Sequence, residues 1–336
     1  MNRATTIAFC FSSLLASSLG CGEGTEPTGG GGTGPTTSCT GALGFAAKVD
    51  YPTGLNPYSV AAADLNGDGK PDLAVTSDNS DAVSVLLNNG NGTFAAKVDY
   101  PTGELPHSVA ATDLNGDGKP DLAVANFHSD TVSVLLNNGN GTFAAKVDYP
   151  TAGPPDSVAA ADLNGDGKPD LAFANGSGTV SVLLNNGNGT FAAKVDSPVG
   201  LNPKSVAAAD LNGDGKPDLA VANNGDKTVS VLLNNGNGTF AAKVDYPIGL
   251  EPASVAATDL NGDGKPDLAV ANFHSDTVSV LLNNGNGTFA ARVDYPTGWY
   301  PVSVAAADLN GDGRVDLATA NGGDGTVSVL LSACLP

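Results

Sequence analysis

The phrase Asp-Leu-Asn-Gly-Asp-Gly begins at Asp64, Asp113, Asp162, Asp210, Asp259 and Asp308, at spacings of 49, 49, 48, 49 and 49 residues. A chain that repeats itself six times at this period is built from six copies of one supersecondary unit, none able to bury its apolar face alone. Of its 336 residues 44 are Gly, yet 41% are apolar, enough for a core, and wholesale disorder is excluded.

Each copy divides into four short segments punctuated by Gly, Asn and Pro, the signature of strands and turns. In the first copy Ser59 to Asp64 (SVAAAD) enters the acidic phrase and Asp72 to Thr76 (DLAVT) leaves it. Val83 to Leu87 (VSVLL) then runs into Asn88-Asn89-Gly90-Asn91-Gly92, whose Asn-Gly steps favour the positive φ angles of a hairpin. Phe94 to Tyr100 (FAAKVDY) reads as the fourth strand, with Phe94, Ala96, Val98 and Tyr100 on a packed face and Ala95, Lys97 and Asp99 on an exposed one. Six residues of SVAAAD bounded by Pro and Gly are too few for a helix despite their alanines.

Four antiparallel strands per repeat make one blade of a β-propeller, in which small residues such as those of SVAAAD suit the crowded inner strand. The expected fold class is all-β, a six-bladed β-propeller of four-stranded antiparallel blades. The sixth copy stops at Leu331 without its FAAKVDY segment, and that segment stands at the start of the chain as Phe45 to Tyr51. The N-terminal strand is therefore expected to complete the last blade and close the ring. Residues 111–150 and 257–296 are identical except that Lys146 becomes Arg292, so copies one to three read as a unit that doubled.

The acidic phrase carries the chemistry. Asp64, Asn66, Asp68 and Asp72 place side-chain oxygens at positions 1, 3, 5 and 9, with Gly69 at position 6. Calcium takes six to eight oxygens at roughly 2.3–2.6 Å, and these four side chains with the Lys70 carbonyl supply oxygen donors only. The same set recurs as Asp113, Asn115, Asp117, Lys119 and Asp121, and as Asp162, Asn164, Asp166, Lys168 and Asp170. It returns as Asp210, Asn212, Asp214, Lys216 and Asp218, as Asp259, Asn261, Asp263, Lys265 and Asp267, and as Asp308, Asn310, Asp312, Arg314 and Asp316. About six Ca²⁺ per chain are expected. An EF-hand is excluded, because position 12 is Val75 and the flanks are strands.

The DxNxDGxxD loop followed by Leu-Ala-Val, between two strands of a blade, resembles the FG-GAP or VCBS repeats found in the head of integrin α subunits and in many exported bacterial proteins. The resemblance covers residues 45–331 and implies calcium bound between the first two strands of each blade. It also implies an adhesion or ligand-binding role.

The first 20 residues, with Arg3 ahead of an apolar stretch from Ile7 to Leu19, read as an export signal too short to span a membrane. Ser18-Leu19-Gly20-Cys21 resembles the bacterial lipobox, which makes Cys21 the expected lipidation site. Residues 21–38, rich in Gly, Thr and Pro, read as a flexible tether, and 39–336 as the propeller. Cys39 and Cys334 bracket that domain, and in an exported protein such a pair is expected to form a disulfide that ties the ends together. The expected location is the cell surface or outer membrane as a lipoprotein, or the exterior as a secreted monomer.

A formal charge of -20 opposes nucleic acid and anionic lipid, leaving membrane contact to the lipid anchor alone. The six loops hold 18 of the 35 acidic residues, so cations are the partner that the charge favours. Strand alternation sends the acidic loop and the NNGNG hairpin to one face of the disc. The other two connections, on the opposite face, differ between copies: Gly54-Leu55-Asn56-Pro57-Tyr58 against Gly298-Trp299-Tyr300-Pro301-Val302. That face is the expected place for an unidentified protein or glycan ligand, with Trp299 and Tyr300 as a stacking surface. His128 and His274 occupy equivalent loops of opposite blades and read as solvated. Sequence alone gives no His, Cys or acidic pair unique to one blade and flanked by a partner, so a non-catalytic module is expected. A lectin-like propeller and a polysaccharide-processing enzyme with an axial site are the alternatives.

Overall fold

The computed structural model describes residues 49–332. Its 23 strands form six antiparallel sheets in which neighbours in the chain are neighbours in space. The first blade comprises β1 (Pro57–Ala63), β2 (Asp72–Ser77), β3 (Ala82–Leu86) and β4 (Val98–Pro101), ordered from the axis outward. The inner strands of the following blades are Pro106–Thr112, Pro155–Ala161, Pro203–Ala209, Pro252–Thr258 and Pro301–Ala307. The chain is a six-bladed β-propeller of small antiparallel sheets, as its repeats imply.

Alternation along the strands aims apolar side chains at the neighbouring blade, and the core lies between blades. Val83 and Val85 of the first blade pack with Val109, Leu122, Val124, Leu135 and Phe143 of the second. Four further clusters fill the junctions up to the sixth blade. A serine on each of the first five inner strands crosses these junctions. The Val109 amide donates to Ser59 Oγ (3.4 Å), and Val158, Val206, Val255 and Val304 donate to Ser108, Ser157, Ser205 and Ser254 in turn.

The fourth strand is shorter than its sequence suggests. Only Val98–Pro101 joins the ladder, while Phe94 makes an isolated bridge to Asn88. The hairpin between them is held open by its own side chains: Asn91 Oδ1 accepts from the Thr93 hydroxyl (2.6 Å) and Asn88 Oδ1 from the Gly90 amide (2.8 Å). The expected alternation fails with it, because Val98 and Ala96 are exposed while Phe94, Tyr100 and, on the other face, Lys97 are half-buried. The aromatic rings are used between blades instead, Tyr100 standing edge-on to Phe143 at 5.2 Å.

Three strands of the sixth blade are described, Pro301–Ala307, Asp316–Asn321 and Thr326–Leu330. Val327 and Val329 on its outermost described strand are 66% and 54% exposed, where their counterparts Val132 and Val134 are buried. Phe45 to Lys48, the greater part of the expected closing strand, lie outside the described residues, as do Cys21, Cys39 and Cys334. Tyr51, its last residue, is described and stands edge-on to Phe94 of the first blade at 5.4 Å.

Candidate functional site: metal loops and axial mouth

Each acidic loop is folded around its own carboxylates. Asp64 Oδ1 accepts from the amides of Gly67 (2.8 Å) and Asp68 (3.1 Å), and its Oδ2 accepts from Gly69 (2.8 Å). Asn66 Oδ1 takes the Asp68 amide and Asp68 Oδ1 takes the Lys70 amide. Gly67 and Gly69 lie at φ of 78° and 81°, the left-handed region that lets the backbone curl so tightly. The other loops repeat these bonds within about 0.1 Å.

Position nine is set apart. Asp72 is fully buried and receives the Leu65 amide on Oδ2 (2.9 Å) and the Asn88 amide on Oδ1 (2.7 Å), tying the acidic loop to the NNGNG hairpin. Burial pushes the carboxyls of Asp121, Asp170, Asp218 and Asp267 upward against the amides they accept, and the two other carboxylates of each loop push the same way. Asp68 is displaced downward, chiefly by the Lys70 ammonium at 3.1 Å.

These residues fit a hard cation by donor chemistry. All side-chain donors are oxygens, each keeps unused lone pairs, and five loops draw a lysine ammonium onto the position-five carboxylate. In the sixth, the Asn310 amide takes that place on Asp312 (3.2 Å). Position nine is drawn away by the two amides it accepts, and among the described residues no three acidic, His or Cys side chains converge as a preformed metal cluster.

The loops also join blades. The Leu65 carbonyl accepts from the Gly141 amide (3.0 Å) and from Asn137 Nδ2 (2.9 Å), both on the hairpin of the next blade. Leu114, Leu163 and Leu211 repeat the pair of bonds to their neighbours. Gly141 suits this place because it lies at φ of 75°, a conformation that strains any L side chain, and a Cβ on it would also press on the Leu87 methyls at 2.7 Å.

The opposite face holds a constellation that sequence reasoning missed. In every blade the residue after the proline of the inner strand is a bulge, extra to the ladder. These residues are Tyr58, His107, Asp156, Lys204, Ala253 and Val302, different in each copy. The first four touch in turn across four blades. His107 stacks on Tyr58 (4.2 Å between centroids), its Nδ1 meets Asp156 Oδ1 at 3.1 Å, and Asp156 Oδ2 accepts from Lys204 Nζ at 3.0 Å. Phe127 covers the other face of the imidazole at 4.5 Å, and Asp78 Oδ1 lies 3.5 Å from Nε2. Burial pushes the Asp78 carboxyl up, with His107 opposing. The expectation that no histidine is flanked by a partner is thus overturned at His107, which is only 9% exposed. Aligning the six copies in register would have placed these side chains in one column, since equivalent positions of successive blades are neighbours around an axis.

His128 and His274 are exposed, as expected, each beside a glutamate: Glu104 at 3.7 Å and Glu251 at 2.6 Å. Trp299 is exposed as well, and Tyr300 stacks on Phe273 at 4.8 Å.

An FG-GAP-like repeat model matches residues 33–75, 64–124, 113–173, 162–221, 210–270 and 259–319. No curated protein matches the chain. Among solved structures, it is similar to a lectin of Agrocybe aegerita, solved for specific recognition of non-reducing terminal N-acetylglucosamine. That likeness has a TM-score of 0.56 and 25% identity over 80% of this chain and 78% of the lectin. It is also similar to BBS1N, solved in complex with ARL6DN, with a TM-score of 0.60 and 13% identity over 87% and 83% of the two chains. A Bacteroides uniformis protein assigned as a 6-phosphogluconolactonase gives 0.57 at 20% identity over 74% and 73%, and like BBS1N it speaks to fold alone. With matches running from residue 33 to 319, the chain belongs to the FG-GAP-like repeat family.

Proposed function

We propose that the protein is a calcium-stabilised, non-catalytic ligand-binding propeller, exported and carried at a cell surface on a lipid anchor at Cys21 or secreted. The observation that carries this reading is the link between the acidic loop and the next blade through the Leu65 carbonyl, repeated at Leu114, Leu163 and Leu211. Position-1, -3, -5 and -9 side chains with the position-7 carbonyl would hold one ion per loop. An ion there stiffens a loop that is bonded to its neighbour, so occupancy would rigidify the wheel and the opposite, variable face that it carries.

The absence of catalysis in this reading is supported at His107, whose ring nitrogens both face carboxylates while both ring faces are covered. With 9% of its surface exposed and both ring faces covered, that imidazole leaves little approach for a substrate. A glycan is the favoured ligand class in a second reading, on the 25% identity to a lectin that recognises a terminal N-acetylglucosamine. The test is thermal unfolding with and without calcium, with bound metal counted per chain. Saturable stabilisation with about six ions is expected; a melting temperature indifferent to chelation would remove the metal. Binding to a glycan array decides the second reading.

A further inference from the structure

We infer that the turns entering the inner strands form an apolar arc that docks a basic polypeptide, with Leu201, Leu250 and Trp299 on the consecutive fourth, fifth and sixth blades and Leu55 on the first. The inference rests on the ligand-module reading and names its partner. These four side chains occupy equivalent positions, each following a glycine, and are 64%, 46%, 65% and 70% exposed. The second and third blades carry Glu104 and Gly153 there instead, so the arc is confined to one side of the face.

The tips are built to hold their side chains out. The Leu201 amide donates to Asp226 Oδ2 (2.8 Å), that of Leu250 to Ser275 Oγ (2.7 Å), that of Trp299 to Asp324 Oδ2 (3.2 Å) and that of Leu55 to Ser80 Oγ (2.8 Å). The preceding glycines press on the next turn, a Cβ at Gly249 falling 2.5 Å from Asn272. The residues that follow, Asn202, Glu251, Tyr300 and Asn56, are held at φ of 50°, 53°, 56° and 54°. The second blade holds Leu105 at φ of 51° and bonds the Glu104 amide to Ser129 Oγ in the same way, so the turn belongs to the repeat and the arc is marked by the large apolar residue set at its tip. A surface so anchored has little freedom left to lose on binding.

Divergence between the doubled halves falls in the same place. Residues 101–149 and 247–295 differ at five positions, four of them in this turn and the bulge behind it: Thr102 against Ile248, Glu104 against Leu250, Leu105 against Glu251 and His107 against Ala253. The fifth is Lys146 against Arg292 on the outer strand.

Charge selects the occupant. Asp226, Glu251, Asp276 and Asp324 stand among the tips and outnumber the nearby cations Lys204 and Lys227, while His274 is engaged by Glu251. A second copy of this chain, at -20, and an anionic bilayer are both repelled. A polypeptide presenting lysine or arginine around apolar side chains matches both features.

Trp299 is the single tryptophan of the chain and lies on the arc, so its emission reports docking directly. The full chain is titrated with a tryptophan-free peptide of alternating lysine and leucine. A saturable blue shift is expected, weakened by salt, and weakened at least about tenfold in L201S/L250S. Glu251→Lys, which leaves the apolar side chains in place, should also weaken it. An unmoved emission, or a shift that survives both variants, overturns the inference. So does a shift given by phosphatidylcholine vesicles or N-acetylglucosamine but not by the peptide; the sugar result would leave the ligand-module reading standing, and calcium-dependent melting is read separately in the same samples.

Discussion

Tyr51 meets Phe94 at 5.4 Å and 80°, the geometry in which Tyr100 meets Phe143, Tyr149 meets Phe191 and Tyr246 meets Phe289. In those three pairs the tyrosine lies in or at the outer strand of one blade and the phenylalanine is the bridge residue that precedes the outer strand of the next. Tyr51 therefore occupies the outer-strand position of the blade that precedes the first, which in a ring of six is the sixth.

Removal of residues up to Tyr51 should then strip the sixth blade. Val327, Val329 and Leu331 are already 66%, 54% and 57% exposed, so the loss should show in the backbone protection of their strand and not in the burial of these side chains. In the register of the other blades Asp50 would face Ser328, as Asp99 faces Ser84. Hydrogen exchange over Thr326–Leu330 is expected to speed up in the truncated chain while Thr131–Leu135 stays protected. Equal protection in both proteins would mean that the ring closes another way. Mass spectrometry of an unreduced digest should find Cys39 joined to Cys334.

Much of this wheel was legible in advance, and the reason is periodicity. Six copies of DLNGDG fixed the number of blades, and the runs Asp72–Ser77 and Ala82–Leu86 formed strands because β-branched and small residues alternate between two crowded faces. Phe94 to Lys97 misled because alternation is only half of a strand's requirement; the partner backbone was diverted by Asn88 and Asn91, whose side-chain bonds hold the hairpin open. At the acidic loops the oxygen donors were readable, but not that Asp72 is a staple between amides. His107 and Asp156 escaped because they lie 49 residues apart and meet only through the bulge that turns both toward one another.

Two carboxylates of one acidic loop should differ most when calcium is absent. Asp121→Ala leaves the buried amides of Leu114 and Asn137 without acceptors, a loss of about 2–5 kcal/mol already in chelator, with the loss of a ligand added in calcium. Asp117 is exposed and mainly holds Lys119, so Asp117→Asn should cost under about 0.5 kcal/mol in chelator. In calcium the second variant should lose the share of metal stabilisation that belongs to its loop. Urea unfolding of both variants in chelator and in calcium checks the pattern; equal losses in chelator would contradict the division of labour.

The three histidines should separate cleanly on substitution. His107→Ala removes two aromatic stacks and leaves Asp78 facing a void, and a destabilisation of about 2–3 kcal/mol is expected. His128→Ala removes only an exposed pair and should fall within about 0.5 kcal/mol of the parent, while His274→Ala also removes edge contacts with Phe273 and Tyr300 and should cost up to about 1 kcal/mol, still below His107→Ala. Thermal unfolding of the three variants decides it, and a neutral His107→Ala would show that the contact chain from Tyr58 to Lys204 does not stabilise the junctions it crosses.

Acid should loosen the rim of the wheel. Against the burial that would raise it, the Asp99 carboxyl is drawn below the usual carboxylate range by the Lys97 ammonium and the Ser84 hydroxyl, the latter at 2.6 Å. Asp196 is lowered in the same way by Lys194 and Ser181. A carboxyl lowered in the folded state binds its proton less tightly than in the unfolded chain. Its stabilisation is complete above the unfolded value, near pH 4, and is lost as the pH falls through the folded one. Both groups are largely solvated, so each pair contributes only about 0.2–1 kcal/mol. Lys97→Met should therefore lower stability at pH 6, while variant and parent converge once the pH has fallen through the lowered value of the folded Asp99 carboxyl. Urea unfolding across that range measures the difference; a gap that stayed constant down to the lowest pH would assign the effect to packing of the Lys97 chain instead of its charge.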